Sequence, residues 1–137
     1  FDYIRFPNNS GYTFTTYSTV PYNDEDVDFF FELYQGTGYI RVYDDTDIQD
    51  MGLTSDIYDI PYAPANGWAV AKEEIAQIGH TYVIWTWDNH FAKIRVKNIT
   101  SDRIVFDWAF QLVEGEPQLK PVVKSGDRKL EKLQLAR

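Results

Sequence analysis

HTYVIWTWDNHFAKIRVKNITSDRIVFDWAFQL, residues His80 to Leu112, spells three consecutive antiparallel strands with their turns. Asp88-Asn89 stands between two β-rich runs at the two-residue spacing of a tight hairpin, and both residue types tolerate positive φ. That spacing predicts Trp87 opposite His90, Trp85 opposite Ala92 and Val83 opposite Ile94. Val83, Trp85, Trp87, Ala92, Ile94 and Val96 then share a core face, with bulky Trp85 across from small Ala92. The third strand alternates Ile104, Phe106, Trp108, Phe110 and Leu112 with Arg103, Val105, Asp107, Ala109 and Gln111, the pattern of a half-buried sheet.

Outward from this stretch the same periodicity recurs. Val27, Phe29, Phe31 and Leu33 alternate with Asp28, Phe30, Glu32 and Tyr34, and a glycine-containing turn leads into a return strand whose Ile40 and Val42 point inward. Short strands are expected at 2–6 and 11–16. Residues 44–67 have irregular apolar spacing with a short strand near 57–60, and 70–78 read as one or two helical turns stopped by Gly79. After Phe110 the aromatics vanish, and Lys120, Lys124, Arg128, Lys129, Lys132 and Arg137 make a basic tail in which Asp127 is placed to cap a short helix. The expectation is an all-β fold, a single antiparallel β-sandwich or strongly curled sheet, with an all-β domain over residues 1–118 and a basic C-terminal tail, linker or short helix over 119–137.

With 137 residues there is room for one domain with a real core. Charge is uneven: residues 1–60 hold twelve acids against Arg5 and Arg41, whereas 61–137 hold nine acids against eleven Lys or Arg. An acidic first half disfavours phosphate backbones and anionic membranes, so nucleic acid is not an expected partner. Without cysteine there is neither a disulfide framework nor a thiolate metal site. No apolar run reaches the length of a membrane span. The chain opens on Phe1 rather than Met, from which a processed or excised segment of a longer protein is expected.

Pro64-Ala65-Asn66-Gly67-Trp68, Gly79-His80-Thr81-Tyr82-Val83 and Thr86-Trp87-Asp88-Asn89-His90-Phe91-Ala92-Lys93-Ile94-Arg95-Val96 carry a resemblance. Over residues 11–118 the chain resembles a recurring extracytoplasmic prokaryotic β-module with a GHTYV-like strand entry and an AKIRV-like return strand. The resemblance implies a part of a secreted or surface-anchored protein, of generally unassigned molecular function. More distantly, in strand pattern only, it is similar to the all-β haem-capturing lipoproteins of bacteria, whose haem-ligand motifs have no counterpart here.

Four site readings compete with structural ones. Asp44, Asp45, Asp47 and Asp50 put four carboxylates in seven residues, a donor density that suits calcium, although the EF-hand spacing is missing and a solvated acidic turn is the commoner outcome. His80 and His90 are the only histidines, and strand geometry puts them roughly 25 Å apart, leaving single-histidine haem ligation as the ligand reading and strand-end packing as the plain one. Trp68, in a Pro/Gly-flanked loop, is the remaining candidate for stacking on a sugar, since the other three tryptophans are assigned to the core face. Tyr82, Phe91, Lys93 and Arg95 form a semi-apolar basic strip on the opposite face, either paired with Asp107 or facing an acidic partner. No nucleophile elbow, H-E-x-x-H or Gly-rich phosphate loop occurs, so no enzymatic activity is expected. The leading expectation is a non-enzymatic extracytoplasmic structural or interaction module contacting a protein partner or neighbouring module, with haem capture or carbohydrate binding as alternatives and no cofactor beyond calcium.

Overall fold

The computed structural model describes residues 10–100 and 104–119, with 134–136 as backbone. Among the described residues ten strands form two antiparallel sheets packed face to face: β1 (Gly11–Thr13), β2 (Ser18–Val20), β3 (Phe29–Tyr34), β4 (Thr37–Arg41), β5 (Asp47–Leu53), β6 (Glu73–Ile75), β7 (His80–Trp85), β8 (Phe91–Ile99), β9 (Ile104–Phe110) and β10 (Gln134–Ala136). The first sheet runs β2-β1-β3-β4-β6 and the second β10-β9-β8-β7-β5. Among the described residues no helix is long and apolar enough to cross a membrane. The expected strand at 2–6 and the tail helix near Asp127 lie outside the described residues.

Alternation explains the core. Phe29 and Phe31 of β3 and Ile40 of β4 meet Ile94 and Val96 of β8 and Phe106 and Trp108 of β9, all buried in one cluster between the sheets. Rings lock it: Tyr12 meets Phe106 edge-on at 5.4 Å, and Tyr17 stacks on Trp108 at 4.8 Å. Such pairs add about 0.5–1.5 kcal/mol each beyond area burial. Leu33 and Leu112, expected inside at strand ends, are instead exposed.

The β7–β8 hairpin corrects the predicted register. Trp85 pairs with Phe91, Ile84 with Ala92, Val83 with Lys93 and Tyr82 with Ile94. The turn holds three residues rather than two. Asn89 N–H donates to Thr86 O (3.0 Å), Thr86 N–H donates to His90 O (2.7 Å), and Asn89 takes φ +63°. This is a type I turn closed by a left-handed residue. A slip of one residue moves every side chain of β7 to the other face. Tyr82 and Ile84 therefore enter the main core, while Val83 joins a second apolar cluster on the outer face and Trp85 and Trp87 stay exposed.

That outer face is covered by a strap, residues 54–63. A 3-10 turn, Ile57–Asp59, starts with a capping box in which Tyr58 N–H donates to Asp56 Oδ1 (2.8 Å). Ile57 drops into the second cluster with Val83, Phe91, Ala109 and Leu119. Backbone bonds tie the strap down, Ala63 N–H to Pro117 O and Leu119 N–H to Pro61 O, both 2.7 Å. The strand expected near 57–60 is this turn, and the helical turns expected at 70–78 are replaced by edge strand β6, whose Tyr39–Ile75 and Arg41–Glu73 pairs extend the first sheet. Gly79 enters β7 at φ +87°, a left-handed angle that glycine adopts without strain.

Candidate functional site

At the turn end of the β7–β8 hairpin, aromatic and acidic groups frame a cleft of about 430 Å³ lined by Asp45, Asp47, Trp85, Thr86, Trp87 and Asn89. Strand pairing builds it, because Asp47 of β5 lies opposite Trp85 of β7 and so brings the Asp45-Thr46-Asp47 segment beside the turn. Trp87 is 45% exposed and Trp85 36%. Trp85 is not loose: its ring stacks on Phe91 (5.3 Å), Trp68 leans on both, and its indole N–H donates to Asn89 Oδ1 (2.8 Å). Trp68 is thus a half-buried support for Trp85 rather than an isolated loop residue.

The polar side is fixed as well. Lys72 Nζ donates to Asp47 Oδ1 and to Thr46 O, both at 2.8 Å, so Asp47 is held in an ion pair. Asp45 accepts from Thr46 Oγ1 (3.1 Å) and is exposed. Asp28, buried, accepts Phe14 N–H at 2.7 Å. Burial pushes its carboxyl up to about 7; the Phe14 bond opposes this, while the charges of Asp88, Asp26 and Asp45 add to it. The acidic loops at 24–28 and 44–47 and the hairpin turn therefore share one electrostatic neighbourhood.

The carboxylates read as a calcium set do not converge. Asp44 is exposed, Asp47 faces Lys72, and Asp50 faces His80 Nδ1 at 2.9 Å. Among the described residues no three acids or histidines are arranged to hold a metal ion. His90 Nδ1 faces Gln111 O (3.0 Å) and its ring lies 5.2 Å from Phe110. The two histidines sit at opposite ends of the hairpin and share no site.

The basic strip does not exist as one exposed face. Tyr82 is buried between the sheets, donating its hydroxyl to Ile75 O (2.6 Å). Phe91, Lys93 and Arg95 lie on the outer face beside the strap. Lys93 is fully buried, its ammonium donating to Ile60 O (3.0 Å) and lying 5.6 Å from the Tyr58 ring centre. Burial pulls this amine down to about 8 against the opposing charges of Asp56 and Asp59. Arg95 holds Thr54 through Nε to Oγ1 (3.0 Å) and a second N–H to the backbone O (2.9 Å), while Asp107 takes Lys97 instead (3.3 Å).

Sequence reading missed Trp85 and Trp87 as surface residues, and with them the partnership of Trp85 and Asn89. The length of the turn is the one signal that separates the two registers. Comparison with protein-family models, curated proteins and solved structures returned no match.

Proposed function

We propose that this domain is a non-enzymatic binding module, extracytoplasmic by its resemblance, that takes a neutral carbohydrate in the Trp85–Trp87 cleft. The observation that carries the reading is the three-residue turn, which turns both indoles outward beside Asp45 and Asn89. Sugars offer an apolar C–H face for an aromatic ring and a rim of hydroxyls for carboxylate and amide partners. Here Trp85 is stacked and hydrogen-bonded into place before any ligand arrives, which lowers the ordering cost of binding. The local charge is negative, which disfavours phosphorylated, sulfated or uronate sugars.

An array of neutral and anionic oligosaccharides, read with wild type and Trp87→Ala, tests the proposal. Retention on neutral glycans, weakened about tenfold or more in the variant, is the expected result. Retention on no glycan, or retention unaffected by Trp87→Ala, contradicts it.

A further inference from the structure

The outer face of the first sheet carries a second depression, unrelated to the hairpin turn. It measures about 460 Å³ and is lined by Glu32, Tyr34, Tyr39, Arg41 and Glu73. Strand alternation puts these side chains together. Glu32 and Tyr34 project from the face of β3 opposite the buried Phe31, and Tyr39 and Arg41 project from the same face of β4, opposite buried Ile40. Glu73 of β6 pairs directly with Arg41.

The polar floor is assembled in advance. Arg41 donates to Glu32 Oε1 (2.6 Å) and reaches Glu73 Oε1 (3.3 Å), so one guanidinium is pinned between two carboxylates from the neighbouring strands. Its Cζ lies 6.0 Å from the Phe30 ring centre, on which Tyr43 also packs at 5.1 Å. Each carboxylate gives Arg41 one oxygen and has a second with which to accept a hydroxyl. Arg41 keeps further N–H groups to donate. Tyr34, 59% exposed, and the half-buried Tyr39 supply the aromatic faces at the side.

Two acids against one base leave this floor net negative and crowded with acceptors. A hydroxyl-rich neutral ligand suits it better than an anion. A flat protein surface would have to cover the partly exposed Arg41–Glu32 pair and desolvate it, a cost that a small hydroxylated ring replaces with hydrogen bonds. We propose that the Glu32–Tyr34–Tyr39–Arg41–Glu73 depression is a second neutral-carbohydrate site, which would make the module bivalent, with one site on each sheet. The ligand class rests on the function proposed above; the site itself shares no residue with the first. Two weak sites on one body bind a polysaccharide with an avidity that neither has alone.

The test is amide-resolved NMR titration of the full chain with cellohexaose, xylohexaose and chitohexaose, using wild type, Trp87→Ala and Tyr34→Ala. Tyr34 is a surface residue at a strand end, so its replacement leaves the core untouched. The expected result is shifts at Tyr39, Arg41 and Glu73 that persist in Trp87→Ala and weaken about tenfold in Tyr34→Ala. Shifts confined to 45–47 and 85–89 overturn the second site while the first stands. Shifts at neither place overturn both. Shifts at Tyr39 and Arg41 that are unchanged in Tyr34→Ala overturn the aromatic contact on which the assignment depends.

Discussion

Asp28 and Lys93 are two buried ionisable side chains whose protons move in opposite directions on folding. Asp28 is held up to about 7, first by burial, so the folded state binds its proton more tightly than the unfolded chain does. Its contribution is complete below the ordinary carboxylate range and is lost as pH rises toward 7, by at most about 4 kcal/mol. Urea unfolding at pH 5 and pH 8 should show that loss in wild type and a flatter profile in Asp28→Asn, whose amide oxygen still accepts Phe14 N–H; an unchanged slope would assign the effect elsewhere. Lys93 has the reverse sign. Its amine is lowered to about 8, so the unfolded chain binds more protons from there upward and stability rises through that window. Lys93→Met fills similar volume without the charge, and the rise between pH 8 and 10 should disappear. Neither role was legible in the sequence. Asp28 reads as an outward-facing position of a strand, alternating with Val27 and Phe29, and only β1 returning beside β3 places Phe14 N–H above it.

At the scale of elements, β8 and β9 were readable because Lys93, Arg95 and Asp107 interrupt the apolar residues on the outer face and leave the main-core face legible, although Phe91–Ile94 and Phe106–Phe110 are buried on both sides. β7 was not. Thr81, Tyr82, Val83 and Ile84 are all buried, since the strap covers the face that the opposite sheet does not, and with no charged residue among them there is no alternation to set the register. The turn alone decides, and two residues against three is the whole difference between an indole in the core and an indole in solvent. Asn89 at φ +63° is the element's hinge point. Asn89→Gly should hold stability within about 0.5 kcal/mol, whereas Asn89→Val should lose about 1–2 kcal/mol by thermal or urea unfolding. Equal stability of the two variants would argue against the left-handed closure. Strands β5 and β6 escaped notice for a different reason. Both are edge strands, and Asp47, Asp50, Glu73 and Glu74 blunt them with charge, which also erases the hydrophobic signal.

For the whole molecule, the aromatic layer between the sheets sets stability, and in the proposed function the outer faces carry recognition. Phe106, buried against Tyr12 and Phe29 of the opposite sheet, belongs to the first role, and Phe106→Ala should cost about 3–5 kcal/mol in urea unfolding. Trp87 belongs to the second, and its replacement should leave the unfolding midpoint nearly unchanged. The structure gives two packed sheets where the sequence left a β-sandwich and a strongly curled sheet both open. The all-β antiparallel character was visible in the sequence as alternating runs. The clefts were not, because each is lined from strands or loops distant in the chain: Asp45 with Trp87, and Tyr39 with Glu73. The central claim is that hairpin register exposes two tryptophans for a sugar. Following the indole N–H resonances during titration with a neutral oligosaccharide retained on the array tests it most directly. The signals of Trp85 and Trp87 should move with a common saturation curve while that of buried Trp108 stays fixed. Signals of Trp85 and Trp87 that do not respond while binding proceeds would contradict it.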